Sequence, residues 1–495
     1  MRRIFSNTLA ALAAGFCLRL FFVLKFPANS GDTVLYEQIA TNWLKHGSYA
    51  MDIGGVVTPV DIRMPGYPAI LAVVYWVTGR TGDAARIFVM LGQVAVDLAG
   101  SVFITWLAGL LLVMTDKTAR QGPVLRAAWW MAMLCPFTAN YTAVTLTETF
   151  AIALTAIALV FLAGLSGSAE EVVHPKPRER WEWRNDYRYW AIPAGLAVGI
   201  ATLFRPESPL LLAAAWIVTG MQLLLRKRMG AWMRIVAYSG LACVLPLAPW
   251  ALRNFVTLHE VQFLAPKNSN LPGELVPYGF MAWERTWLYR VSDCYLVPWK
   301  LDDEAIDVDS IPVRAFDTPE EKQRVAAILE NYNNDLTLTP EEDAAFGELA
   351  RERNARHPLR RYVWLPAARA VTIWFAPRIE LLPVSGDVFP LRQAWREDRL
   401  DQSVTVGFFV MNIVYLALAV WGAVRLWRWN PAVRPAVVLL GIFILLRTGF
   451  LTTLEAPEPR YVLVCFPALI ALGAQAFARR HEPAQPEVLG APSVT

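Results

Sequence analysis

Residues 84–114 read AARIFVMLGQVAVDLAGSVFITWLAGLLLVM, with Arg86 and Asp97 as the only charges. At about 1.5 Å rise per residue this run makes a helix longer than the roughly 30 Å hydrocarbon core of a bilayer. It is too apolar to lie in water and too long to be an ordinary core helix. Similar runs, most flanked by Arg, Lys, Trp or Tyr, lie on both sides of it, at 4–26, 127–143, 145–165, 189–204, 208–225, 235–252, 404–424, 436–453 and 461–478. With 84–114 they give ten expected spans. Composition agrees: 55% of the 495 residues are hydrophobic and 18% charged, against about 25% charged in a soluble domain. The expected fold class is an all-α polytopic membrane protein. The net charge of +4 is too small, and basic clusters too few, for a nucleic-acid binder.

The charges are unevenly spread. Residues 255–360 hold 19 Asp and Glu against 11 Lys and Arg, a net −8, so the remainder of the chain carries +12. One acidic, water-facing domain interrupts a basic membrane body. Arg2/Arg3, Lys117/Arg120/Arg126, Lys176 to Arg188, Arg226/Lys227/Arg228/Arg234, Arg425/Arg428/Arg434 and Arg479/Arg480 all fall on one side of the ten-span drawing. Positive loops stay in the cytoplasm, so both termini are expected there and the acidic domain outside. The N-terminal run is expected to be an uncleaved span, because Arg19 and Lys25 interrupt it and no small-x-small cleavage site follows. Of five cysteines, Cys17, Cys135, Cys243 and Cys465 lie in apolar runs and Cys294 stands alone in the acidic domain; no disulfide framework follows. His46, His174, His259, His357 and His481 form no metal-spaced pair.

These readings divide the chain into a transmembrane module 1–254 with a first outer loop 28–83, the acidic domain 255–361, an interfacial segment 362–403, C-terminal helices 404–480 and a disordered tail 481–495. Segments 68–77 and 362–376 are apolar but too short to cross, and are expected as interfacial helices. Thr318-Pro319-Glu320-Glu321 and Thr339-Pro340-Glu341-Glu342 combine a Thr cap, Pro at the first helical position and acids in the first turn. They predict helices over 319–331 and 340–356.

On this topology the charges that do not look like loop solubilisers share the outer face: Asp32, Arg63, Glu148, Arg205, Glu207, Arg253, Glu455, Glu458 and Arg460. A snorkelling interfacial charge accounts for any one of them. Their common side is the stronger observation, since the phosphate of a lipid head group lies at that depth. Asp32 stands near the start of an outer-surface helix, where it could equally be a simple cap. Arg63-Met64-Pro65-Gly66-Tyr67-Pro68 is a turn with an arginine at its mouth; the turn explains the prolines and glycine and leaves the arginine over. Glu148 opens a span and needs a partner, for which Arg63 is the natural candidate. Trp250 and Tyr461 fit an interfacial aromatic belt.

Asp32, the Arg63-x-Pro65-Gly66-Tyr67-Pro68 turn, Thr147-Glu148, Arg205-Pro206-Glu207, Pro249-Trp250-x-x-Arg253-Asn254 and Glu458-x-Arg460-Tyr461 together resemble the GT-C glycosyltransferases. The similar branch is the bacterial proteins like dolichyl-phosphate-mannose protein mannosyltransferases and lipid A aminoarabinose transferases. Ala350-x-Glu352-Arg353…His357-Pro358 and Trp374-Phe375-x-Pro377-Arg378 also resemble segments of such proteins. The resemblance implies inverting transfer of one sugar from a polyprenyl-phosphate donor to a hydroxyl of a protein, lipid or glycan acceptor, in the bacterial plasma membrane and on its extracytoplasmic face. It implies Asp32 as general base, Arg63 as a donor-phosphate contact, and Glu148 orienting Arg63 and facing the acceptor. Arg205, Arg253 and Arg460 become further phosphate contacts, with Glu207, Glu458 and Tyr67 in support. No metal or cofactor is expected, because arginines can carry the phosphate charge.

A transporter or flippase of lipid-linked sugars would use the same residue types. Transporters place them near the midplane and often in inverted repeats, and neither pattern is present. A scaffold displaying the acidic domain would leave Asp32, Glu148 and Arg205 without a purpose. The acidic domain is the expected place for acceptor selection.

Overall fold

The computed structural model describes residues 2–115, 121–173, 187–268, 270–271, 273–386, 388–429 and 431–479. The tail expectation for 481–495, and most of the positive loops at 117–120 and 176–188, fall outside them. In chain order the helices are α1 (Arg2–Lys25), α2 (Gly31–His46), α3 (Gly66–Thr78), α4 (Asp83–Thr115), α5 (Gln121–Met133), α6 (Pro136–Asn140), α7 (Glu148–Val173), α8 (Tyr187–Thr202), α9 (Leu210–Leu224) and α10 (Met229–Leu258). Then come α11 (Tyr278–Glu284), α12 (Val291–Cys294), α13 (Pro319–Asp335), α14 (Pro340–Arg356), α15 (Leu365–Phe375), α16 (Leu391–Glu397), α17 (Arg399–Trp429), α18 (Arg434–Leu451) and α19 (Phe466–Gly473). The fold is all-α and polytopic. Among the described residues a single hairpin of β1 (Ala50–Ile53) and β2 (Val56–Pro59) breaks the pattern, turning through Gly54 and Gly55, both at positive φ. Its signal, two glycines between β-branched residues, stands in the sequence and was not among the expectations.

Seven helical segments of the described residues are long and apolar enough to cross a membrane: Asn7–Lys25, Asp83–Met114, Glu148–Ala169, Met229–Leu258, Arg399–Trp429, Pro431–Leu451 and Pro459–Phe477. Three of the ten expected spans fall short of that length as regular apolar helices among the described residues. The 127–143 run stops helically at Met133 and resumes after Pro136 as α6 and a 3-10 turn, because proline cannot donate the hydrogen bond that would continue the ladder. The carbonyls freed there, of Ala132 and Met133, accept from the buried Arg19 guanidinium at 3.3 and 2.7 Å. The other two, α8 with 16 residues and α9 with 15, reach only about 22 to 24 Å. They form the expected hairpin with Arg205 and Glu207 at its tip. Segment 459–477 is itself irregular, a 3-10 run, then α19, then a second 3-10 turn.

Helices α4, α7, α8 and α10 pack side by side, and α17, α18 and the 459–477 segment close the bundle. One apolar core runs through it, from Leu107 and Leu159 to Leu440 and Ile470. Glycines allow the closest crossings: a Cβ on Gly195 would meet the Ser239 carbonyl at 2.2 Å, where α8 crosses α10.

Residues 278–356 hold a separate core of Phe280, Trp283, Trp287, Val325, Leu329, Tyr332 and Phe346. The two predicted helices are there, and Thr318 and Thr339 accept from the Glu321 and Glu342 amides at 3.2 and 3.3 Å. Arg353 of the familiar 350–358 segment is buried at the centre, paired with Glu321 and donating to Thr286 at 2.8 Å. The short helix expected at 362–376 is α15, preceded by one π turn. Its Arg369 is buried and fastens the domain to the membrane body, donating to the carbonyls of Leu288 (2.9 Å), Arg285 (3.0 Å) and Thr452 (3.2 Å).

Glu284 is buried among these aromatics with Oε1 unpartnered. Burial pushes its carboxyl well above the ordinary value of 4.5, with Arg285 and Arg369 opposing. A raised folded-state pKa means that the favourable contribution is complete at acid pH and is lost as pH rises through the folded value. Glu284→Gln is therefore expected to raise the thermal midpoint of the purified protein at pH 8 and to leave it nearly unchanged at pH 4. A lower midpoint at pH 8 would show that the ionised carboxylate is the stabilising form.

Candidate functional site

The starts of α2 and α7, the Arg63 turn, the Arg205 tip and the segment around Glu458 and Arg460 build the site. Ser30 and Thr33 close a capping box at the start of α2, which puts Asp32 in the first helical turn. The same turn is held against the α7 entry, where Ala28 donates to the Ala143 carbonyl at 2.9 Å and Thr33 Oγ1 to the Thr145 carbonyl at 3.3 Å. The bidentate pair of Arg86 with Glu37, at 2.7 and 2.9 Å, ties the middle of α2 to α4.

The turn after Arg63 docks on the end of α8. The Gly66 amide donates to the Leu203 carbonyl at 2.8 Å, and a Cβ on Gly66 would lie 2.6 Å from that oxygen. Only glycine permits this approach, and it sets the Arg63 turn beside the Arg205 tip.

The expected outer-face charges converge, with partners different from those expected. Arg63 pairs with Asp32 at 2.6 Å, not with Glu148. Glu148, nearly fully buried, pairs with Arg205 and lies 3.6 Å from Arg460 Nε. Arg460 reaches Asp32 at 3.6 Å and Glu458 at 2.6 Å, and Glu458 also accepts from the Tyr461 hydroxyl. Glu207, expected in support of these arginines, instead pairs with Arg447 at 2.9 Å. Arg447 was missed: it stands in the apolar α18 and also donates to the Tyr461 carbonyl at 3.0 Å. Its only sequence signal is a lone guanidinium in a span.

Two expected members sit elsewhere. Arg253 lies outside the cluster, donating to the carbonyls of Tyr49 (2.5 Å) and Val60 (2.8 Å) and stacking on Tyr49 and Trp250. It acts at one remove, because the Tyr49 hydroxyl donates to the Arg63 carbonyl at 2.8 Å. Tyr67 is buried with its hydroxyl on Gln93 at 2.9 Å, packed edge-on to Tyr36.

Asp32, Glu458 and Arg460 line a cavity of about 650 Å³, together with Tyr141, Glu380 and the Tyr295/Trp299 pair of the acidic domain. A second cavity of about 420 Å³, lined by Trp43, Tyr49, Pro65, Trp250 and Arg253, opens on the other side of the Arg63 turn. Burial tends to raise the Asp32 carboxyl, yet Arg63, Arg460 and Arg205 hold it below its ordinary value. Burial likewise opposes ionisation of Glu207, and Arg447 and Arg205 outweigh it. The charged forms of Asp32 and Glu207 are thus favoured, each against a guanidinium. Glu148 Oε2 and Arg205 Nε have no hydrogen-bond partner among the described residues, so the cluster retains polar capacity for a ligand.

No protein-family model matches the chain, and no curated protein matches it. Among solved structures it is similar to ArnT from Cupriavidus metallidurans bound to undecaprenyl phosphate, at 14% identity and a TM-score of 0.37, covering 94% of this chain and 77% of that one. It is also similar to the oligosaccharyltransferase of Archaeoglobus fulgidus tethered with an acceptor peptide, at 13% identity and a TM-score of 0.44. That match covers 94% of this chain and 49% of the other, so this chain spans about half the length of that enzyme.

Proposed function

We propose that the protein is a membrane glycosyltransferase that moves one sugar, with inversion, from a polyprenyl-phosphate donor to an acceptor hydroxyl at the extracytoplasmic face. The observation that carries this reading is Asp32 on the wall of the 650 Å³ cavity, flanked by Arg63 at 2.6 Å and Arg460 at 3.6 Å. A carboxylate and two guanidiniums side by side supply a base for a hydroxyl and cations for a phosphate.

In the proposed reaction Asp32 takes the proton of the acceptor hydroxyl as its oxygen attacks the anomeric carbon. The bond from that carbon to the phosphate oxygen breaks, and its electron pair stays on the phosphate. Arg63 and Arg460 hold the growing negative charge, which a planar guanidinium does with two parallel hydrogen bonds. Glu148 fixes Arg205 and Arg460, while Arg447 and Glu207 fix the segment carrying Tyr461. The arginines carry the charge, so the chemistry needs no metal. The second, aromatic-lined cavity beside the Arg63 turn suits the first isoprene units of the carrier.

The resting pair between Arg63 and Asp32 gives the donor a further task. A phosphate competes for Arg63, and once it is bound Asp32 loses part of the interaction that depresses its basicity. Donor binding thereby readies the base.

The test is sugar transfer in proteoliposomes, with a panel of polyprenyl-phosphate sugars as donors and native membrane extract as acceptor. Transfer of one labelled sugar is expected. Movement of labelled donor between leaflets without transfer, at the same rate in wild type and Asp32→Asn, would instead identify a flippase.

A further inference from the structure

Three carboxylates line the 650 Å³ cavity: Asp32, Glu458 and Glu380. Arginines engage the first two. Glu380 makes no ion pair among the described residues, and its Oε2 is buried with no hydrogen-bond partner. Its neighbour Arg378 is committed elsewhere, donating to the carbonyls of Ile373 (3.0 Å), Trp374 (3.1 Å) and Ala376 (3.1 Å) and stacking over Phe137 and Phe466.

The turn that carries Glu380 is firmly held. Arg378 sits at φ +58°, a left-handed conformation that costs a non-glycine residue energy and persists where the surroundings over-determine it. Here the Arg378 guanidinium grips the end of α15 from below. The Asn412 amide of α17 donates to the carbonyls of Trp374 (2.8 Å) and Ala376 (3.3 Å) from the side. Two residues later the carboxyl of Glu380 stands on the cavity wall. Burial, with Glu458 nearby, pushes it above the ordinary carboxylate value against a hydrogen bond from its own backbone amide and the pull of Arg378 and Arg460.

A carboxyl oxygen without a partner attracts hydrogen-bond donors and offers nothing to a phosphate oxygen. The acidic domain adds Tyr295 and Trp299, packed edge to face with ring centroids 4.4 Å apart, to the lining of the same cavity. A sugar offers both complements, hydroxyls for a carboxyl and a C–H face for an aromatic ring. Around the cavity Arg460 offers a cation to a phosphate, and Glu380 with Tyr295 and Trp299 offers a carboxyl and aromatic rings to a hydroxylated ring.

We propose that Glu380 is a specificity-determining residue that holds hydroxyl groups of the donor's sugar beside the Tyr295/Trp299 pair. This inference rests on the glycosyltransferase reading above.

The experiment compares binding of bare undecaprenyl phosphate with binding of undecaprenyl phosphate linked to mannose, galactose or arabinose, in wild type, Glu380→Ala and Glu380→Gln. Wild type is expected to bind at least one sugar-bearing lipid more tightly than the bare one. Glu380→Ala should weaken that lipid by about 10- to 100-fold, the range for one hydrogen bond to a charged group, with the bare lipid unchanged. Glu380→Gln keeps an acceptor oxygen and the side-chain shape, and should fall between the two. The inference is overturned if wild type prefers no sugar-bearing lipid, if both lipids weaken alike, or if neither changes. Failure of wild type to bind even the bare lipid would remove the glycosyltransferase reading, and this inference with it.

Discussion

Asp32→Asn is expected to lower the rate of sugar transfer by about 10²- to 10⁴-fold, the usual contribution of a general base. The amide keeps the size of the carboxyl and can still accept from Arg63, so the α2 turn and donor binding should survive. What it loses is the capacity to take the acceptor proton. Single-turnover transfer and donor binding, measured on the same proteoliposomes, separate the two. A rate within a few-fold of wild type would move the base to another carboxylate, and Glu380 stands on the same cavity wall. The pH dependence carries the same argument. The base must be ionised, and the arginines hold Asp32 below its ordinary 3.8 in the free protein, so kcat/KM should show no acidic limb attributable to this group above about pH 4.

The second large effect is on stability. Arg19 is fully buried where α1, α4 and α5 meet, with Nε on Asp97 at 2.7 Å and further bonds to the carbonyls of Gly15 (2.8 Å) and Met133 (2.7 Å). Arg19→Ala would strand the Asp97 charge in an apolar interior, at a cost of about 3 to 5 kcal/mol for breaking one side of a buried pair. It would also leave the broken end of α5 without its donor. The expected result is a large fall in the thermal midpoint of the detergent-solubilised protein and less protein in the membrane. Arg19→Met with Asp97→Leu should recover part of the loss, because no unpaired charge remains. Recovery should be incomplete, because the freed Met133 carbonyl still lacks a partner. An unaltered midpoint in Arg19→Ala alone would mean that water or lipid reaches Asp97.

Much of the site was legible because a charge in an apolar run is conspicuous. Asp32, Arg63, Glu148, Arg205, Glu458 and Arg460 stood out by that test, and the structure gathers all six around one cluster. Glu207 and Arg253 stood out equally and are engaged elsewhere. The difference is invisible in sequence, since a guanidinium satisfied by backbone carbonyls and one left for a ligand occupy similar local contexts. Arg447 and Glu380 were passed over for the opposite reason. Arg447 lies in an apolar run of ordinary span length, and Glu380 lies two residues beyond the 374–378 stretch.

The sequence by itself determined the all-α membrane architecture, the acidic inserted domain and the capped helices at Thr318 and Thr339. Each of these follows from hydrophobic run length, charge density or a four-residue helix start, all of them local quantities. Only the tertiary structure decided where helices break and which charges meet. Arg19 could be assigned to the α5 carbonyls, and Arg460 to Asp32 and Glu148, only once segments 113 to 428 residues apart had been brought together. Burial requires every such charge to find a partner, and the packing of the chain chooses which one.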